Sequence, residues 1–255
     1  MANQFNKGFT LIELTIVLFI LGLLLTSFLA PLAARVEQEE RNNTQIQLDE
    51  IEEVLYGYVL QNAYLPCPDC SDNTGGCAAA TANDGIEDTI DDTGDEETCA
   101  TEIGNLPWVT LGVKSTDEWD NIFTYYADDT FADRDDPDDG SGTGESDGTG
   151  CATSATLNVS FSLCSDGEID IFSSDVAADA SATGDVAISI PAVVVSHGKN
   201  WAVSTSVDEG QNTDGDNEFV DKDYSQTSGS EFDDMLIWIS PYILRTMAVK
   251  SGILP

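Results

Sequence analysis

One stretch limits what this chain can become. Residues 14–34 are almost wholly apolar, broken only by Thr15, Thr26 and Ser27, and no charge falls between Glu13 and Arg35. A helix rises about 1.5 Å per residue, so the run is long enough to cross a bilayer. It is also too long for the core of an ordinary secretory signal, which is cut after its apolar stretch. The expectation is a membrane segment that the mature chain keeps. A carboxylate, Glu13, stands at its start. A charge beside lipid is costly and needs a partner, and the run itself holds no cation.

Glu13 follows the string Lys7-Gly8-Phe9-Thr10-Leu11-Ile12. This combination resembles the leader and cleavage site of the type IV pilin family, which includes the pseudopilins of type II secretion. The resemblance implies a cut between Gly8 and Phe9 by a prepilin peptidase and N-methylation of the new amine on Phe9. Glu13 would then be the fifth residue of the mature chain. Its implied partner is the Phe9 amine of its own or a neighbouring subunit, an alignment device for assembly. The reading of Glu13 as an interfacial residue in the headgroup zone stays open beside it. Lys7 on the leader side fits a cytoplasmic leader. Gly22 and Pro31 are expected to interrupt the helix. Pro31 stands one residue later than the usual spacing of major pilins.

The same resemblance implies partners and places. The chain would wait in the inner membrane and meet an inner-membrane assembly platform. It would then join copies of itself or other pilins in a helical filament, either at the cell surface or as a periplasmic pseudopilus.

Charge narrows the field further. The 255 residues hold 47 acidic and 9 basic side chains, a formal net charge of -38. Phosphate would be repelled, so no direct nucleic acid binding is expected. Such acidity reads either as a strongly solvated surface or as capacity for divalent cations.

After Pro31 the pattern becomes amphipathic. Leu48, Ile51, Leu55 and Val59 recur at steps of three or four, with Glu37, Glu39, Glu40, Asp49, Glu50, Glu52 and Glu53 on the wet side. This predicts one helix over residues 9–62, ended by Pro66 and Pro68. The organisation is then a leader at 1–8, a membrane or filament-core half at 9–34, an amphipathic half at 35–62 and an extracytoplasmic domain at 63–255.

Within that domain, residues 67–105 and 133–150 read as long acidic loops. Strands are expected at 122–126, 157–164, 167–172, 186–196 and 233–240. The second and third should form a hairpin through Ser165-Asp166-Gly167, and Pro191 needs an edge or a bulge. Ser240 and Pro241 suit the start of a last helix, and Gly252 its stop. The fold class is α+β: a long N-terminal helix packed on an antiparallel β-sheet, pilin-like, with long acidic loops. Tyr64-Leu65-Pro66-Cys67-Pro68-Asp69, Trp119-Asp120-Asn121-Ile122-Phe123-Thr124-Tyr125, Val194-Val195-Ser196-His197-Gly198-Lys199-Asn200 and Asp233-Asp234 before Ile237-Trp238 also resemble segments of this family. In the second, Asp120 replaces a glycine and Ile122 a proline.

Six cysteines follow the apolar run: Cys67, Cys70, Cys77, Cys99, Cys151 and Cys164. An even count in an outward-facing domain favours disulfides, with about fifteen possible pairings. A redox pair at Cys67-Pro68-Asp69-Cys70 would need a βαβ context that the sequence does not offer. Zinc on Cys67, Cys70 and Cys77 is a further alternative.

Calcium takes six to eight oxygens on a flexible loop. Asp208, Asp214, Asp216, Asn217 and Asp221 form the candidate set, although their spacing is not that of an EF-hand. No cofactor is required by any motif. No nucleophile elbow or phosphate loop occurs, and the single histidine, His197, reads as a strand-end residue, so no enzyme is expected. Two functions of different kind remain: a structural filament subunit, pilus or pseudopilus, and a membrane-anchored, calcium-dependent adhesin or binding protein.

Overall fold

The computed structural model describes residues 10–91, 97–134, 159–174, 186–201 and 206–254. It divides into two compact units, Met1–Asn43 and Thr44–Pro255. Helix α1, Leu11–Asn62, begins in the first and ends in the second.

In the first unit every described side chain from Leu11 to Leu25 is exposed. Phe19, for example, keeps 70% of its surface accessible. The described side chains of the apolar run stop at Leu25 and resume only at Leu32. Among the described residues, no helix is long and apolar enough to cross a membrane. The expected interruption does not occur: α1 continues through Gly22 and Pro31. A proline removes one donor, which a helix of 52 residues survives.

In the second unit α1 buries Thr44, Leu48, Ile51, Leu55 and Val59 and leaves Asp49, Glu50 and Glu53 in water. Beyond it come β1 (Thr89–Asp91), β2 (Glu97–Cys99), β3 (Ile103–Asn105), α2 (Trp108–Leu111), β4 (Thr124–Ala127), α3 (Asp129–Ala132) and β5 (Ile169–Phe172). Then follow β6 (Ala187–Ile190), β7 (Ala192–Ser196), α4 (Val207–Gln211), β8 (Glu218–Val220), β9 (Ser225–Thr227), β10 (Ser230–Phe232), β11 (Met235–Trp238) and α5 (Pro241–Ser251). The central sheet runs β11-β7-β4-β3, every pair antiparallel. A second sheet runs β6-β5-β8, with β5 and β8 parallel.

Strand alternation makes the layers. One face of the central sheet sends Tyr125, Ala127, Val194 and Ile237 into a core with Leu48, Ile51, Leu55 and Val59 of α1. The other face sends Tyr126, Val193, Val195 and Leu236 against Ile169, Ile171 and Phe219 of the second sheet. Helix, sheet and sheet therefore stack in that order, an α+β architecture.

Several expectations need correction. The strand read over 186–196 is two strands in different sheets, divided at Pro191. Proline has no N–H for a ladder, and its carbonyl instead accepts the N–H of Asp128 at 2.9 Å. The strand read over 157–164 is absent in its described part, and so is its hairpin with β5. There the Ser165 hydroxyl accepts the N–H of Ser162 at 2.8 Å and the Ser162 hydroxyl that of Cys164 at 3.1 Å. Those local bonds remove donors that a ladder would need.

Residues 67–105 are not one long loop: among the described residues they hold three short strands and a 3₁₀ turn, Gly75–Ala79. Their backbone is fixed by acid: Asp88 accepts the N–H of Cys70 at 2.8 Å, and Glu87 accepts that of Cys67 at 3.2 Å. Arg134 ties the region down, reaching Glu87 and Glu97 at 2.6 Å each. The acidic tract from 135 onward lies outside the described residues, as does Cys151. Cys67 bonds Cys99 and Cys70 bonds Cys77, so the two halves of the Cys67-x-x-Cys70 string are paired elsewhere. Cys164 is disulfide-bonded too. The last helix starts at Pro241 and stops at a left-handed Gly252 as expected, but the Ser240 side chain makes no cap bond.

Two predictions follow from this packing. Leu55→Ala should cost about 2–5 kcal/mol, while Ile46→Ala, 64% exposed on the same helix, should change stability by less than about 0.5 kcal/mol; urea midpoints compare them. The second concerns Asp128, whose buried carboxyl accepts the N–H groups of Thr130 and Glu168. Burial raises its pKa from 3.8 to about 7. The protonated form is the one the fold prefers, so its contribution is complete below pH 3.8 and is lost as pH rises through about 7. Melting temperatures taken from pH 4 to 8 should fall less steeply in Asp128→Asn than in the parent; parallel curves would refute the assignment.

Candidate functional site

The start of α1 carries a reciprocal cap. The Thr10 hydroxyl accepts the N–H of Glu13 at 3.3 Å, and the Glu13 carboxylate accepts the Thr10 N–H at 3.5 Å and hydroxyl at 3.4 Å. These are long bonds, yet the pattern is a capping box, Thr-x-x-Glu, which satisfies donors that a helix start leaves open. The macrodipole favours a carboxylate there as well. The spacing Thr10-Leu11-Ile12-Glu13 held that signal, which neither reading of Glu13, as the partner of an amine or as an interfacial residue, used. Gly8 and Phe9 lie outside the described residues.

The acidic segment after α4 divides. Asp214 and Asp216 meet at the Gln211 amide, which donates to them at 3.0 and 3.2 Å. Asp208 instead pairs with Lys222, and the Asn217 amide donates to the Glu168 carbonyl at 2.8 Å. Asp221 is half-buried, its pKa raised by burial and then by Asp223.

A different acidic group converges nearby. Glu209, Asp233 and Asp234 each place an oxygen within 4.8 Å of the others. Glu209 is buried on α4 and accepts the N–H of Asp233 at 2.8 Å and the Asn200 amide at 3.3 Å. Asp233 accepts the N–H of Lys199 at 3.0 Å. The approach requires a glycine before it: Gly198 has φ +60°, and a Cβ there would lie 2.5 Å from the Asp233 carboxylate.

Asp234 accepts the Asn212 amide at 2.7 Å. Burial, with Glu209 and Asp233 adding repulsion, pushes its pKa to about 8. His197 Nδ1 lies 3.9 Å away, and burial lowers that imidazole to about 4. Each is neutral near pH 7, so their contact is no ion pair. Crowded carboxylates of this kind are relieved by protons or by a hard cation. Residues 209, 233 and 234 are brought together by the folding of the stretch that carries β8, β9 and β10, which no local spacing reveals.

The adjacent Ser196 and His197 face different partners. The Ser196 hydroxyl donates to Asp117 at 2.8 Å, and His197 Nε2 meets the Thr124 hydroxyl at 2.8 Å. Asp117 also accepts the N–H groups of Trp119 and Asn121, both at 2.9 Å. Between those two, Asp120 adopts φ +65°. The left-handed turn that a glycine would make is therefore kept with an aspartate.

Taken together, fold and site define an α+β protein whose N-terminal helix presents apolar side chains outward. Residues 4–29 match the family described as the prokaryotic N-terminal methylation motif, the hallmark of type IV pilins and pseudopilins. No curated protein and no solved structure matches the chain significantly.

Proposed function

We propose that this chain is a pilin-like structural subunit of a type IV pilus or a related filament. The observation that carries the reading is the start of α1. Its described side chains from Leu11 to Leu25 are exposed all round the helix, inside the segment that matches the methylation motif. A helix apolar on every side is stable in lipid or among other helices and not in water. Each leucine or isoleucine so covered gains about 1.5–3 kcal/mol. The prepilin peptidase would cut between Gly8 and Phe9, the helix would hold the chain in the inner membrane, and assembly would move it into a filament core. Glu13 would draw the amine of Phe9 from an incoming subunit, exchanging the Thr10 cap for an ion pair. The work of extraction belongs to a separate assembly machinery.

The test expresses the chain with its native machinery, shears the cells and sequences the N-terminus of the protein recovered in filaments. Chains beginning at Phe9 are expected. Glu13→Val should still be cut at Phe9 but fall at least about tenfold in the sheared fraction. Uncut chains held in the membrane would overturn the proposal. Abundance separates the finer readings: a principal component is a major pilin, and a trace component is a minor pilin or a secretion pseudopilin.

A second reading, a membrane-anchored calcium-dependent adhesin, is favoured by the convergence of Glu209, Asp233 and Asp234. Calcium there, or on the loop of Asp208, Asp214, Asp216, Asn217 and Asp221, would relieve part of the net charge of -38. Millimolar calcium should raise the melting temperature by several degrees, and magnesium at the same strength should raise it less. Loss of the shift in Glu209→Gln assigns the cluster, and loss in Asp214→Asn the loop. An unchanged melting curve in the parent rules out a stabilising calcium.

A further inference from the structure

A cavity of about 500 Å³ opens on the second unit beside the acidic cluster. Its size is that of a small-molecule site, about 300–1,000 Å³. The wall is unusual for this chain. Four amides line it, those of Asn83, Asn105, Asn121 and Asn212, together with hydroxyls such as those of Ser71 and Thr213. Asp120 is the one carboxylate among the lining residues, and neither lysine nor arginine is among them. A protein that carries 47 acidic side chains has here a nearly uncharged surface, in which Ile103, Ile122 and Trp201 set apolar area beside the amides.

The amides are held in place before any ligand arrives. Asn105 donates to Asn83 at 2.9 Å, and Asn83 donates to the Ser71 carbonyl at 2.9 Å. Asn212 is fixed by Asp234 at 2.7 Å and by the N–H of Val220 at 2.7 Å, and Asn121 donates to the Gly198 carbonyl. A primary amide has about four hydrogen-bonding positions. Asn212 donates to both Asp234 and the Val220 carbonyl and Asn105 to both Asn83 and Asp69, so these two keep acceptor capacity for a ligand, and Asn83 keeps a donor as well. Rigid donors and acceptors reduce the ordering cost of binding.

Two further features point into the same cavity. Trp201 lines it with 54% of its surface exposed, its ring 6.1 Å from that of His197. A large indole left open beside these amides offers a flat apolar platform. Among the described residues four non-glycines have positive φ, and two of them, Asn83 at 61° and Asp120 at 65°, belong to this wall. Asp120 stands where a glycine would make the turn more easily, and the substitution adds a carboxylate to the cavity.

We propose that this cavity binds a neutral saccharide. Sugar hydroxyls both donate and accept, as amides do, and the C–H face of a pyranose matches the Trp201 ring. The Asp120 carboxylate accepts from a pair of adjacent hydroxyls. An anionic ligand would meet the field of the whole protein with no cation among the lining residues to hold it. A cationic ligand would find a single carboxylate. The inference does not depend on filament assembly: it holds for a pilus subunit and for an anchored binding protein alike.

The test uses the full-length protein in a detergent without a sugar headgroup, applied to an array of neutral glycans built from hexoses and N-acetylhexosamines. Binding of at least one neutral glycan is expected, competed by the free sugar at millimolar concentration. Trp201→Ala should weaken it at least about tenfold. Asp120→Gly, which suits the left-handed backbone, should weaken it about three- to tenfold with an unchanged melting temperature. Three results would overturn the proposal: no neutral glycan bound, binding confined to sulfated or sialylated glycans, or binding indifferent to both variants.

Discussion

The packing of one helical stripe on one sheet face organises the domain. Leu48, Ile51, Leu55 and Val59 of α1 meet Tyr125, Val194 and Ile237, and Leu244 and Ala248 of α5 join the same core. With that contact made, the central sheet has one covered face. Its reverse face can then bury Tyr126, Val193 and Val195 only by recruiting a second sheet. The β6-β5-β8 sheet is thus a consequence of the first contact. Tyr56 adds a directional link, its hydroxyl accepting the N–H of Ser240 at 2.9 Å where the last helix begins.

Acidic residues do a second kind of work. A carboxylate accepts backbone N–H groups with the strength of a charged partner. Asp69, Glu87, Asp88, Asp117 and Asp233 each accept at least one. Much of the irregular backbone is therefore satisfied by side chains in place of ladders. Composition alone presented these residues as solvated surface, yet Asp69, Asp117, Asp128, Glu209 and Asp234 are buried.

What could be read from the sequence was whatever repeats locally. The 3.6-residue stripe of α1, the stop at Gly252 and the α+β class all rest on short-range pattern. The failures have physical causes too. Pro191 cuts an apolar run whose composition is uniform on both sides. Phe161 sits in a strand-like alternation, but it is buried against the ring of Phe131, 5.3 Å away, and not within a strand. The parallel pairing of β5 with β8 joins segments almost fifty residues apart, Asp170 with Glu218, and leaves no local trace. The same holds for Glu209, Asp233 and Asp234, and for the cavity, whose amides come from four separate stretches of chain. At Glu13 the signal was local and present, but the weight of its charge hid its spacing.

The two defined disulfides are nested. Cys70–Cys77 closes a small ring, and Cys67–Cys99 closes a larger one around it. The residues inside the small ring, 71 to 76, are all exposed, whereas Cys70 and Cys77 are buried. A peptidase that reached this turn would sever the backbone without releasing anything. The new ends would remain joined through the inner bridge, and through the outer one if the inner were reduced. This exposed turn is thereby one whose cleavage the molecule can survive.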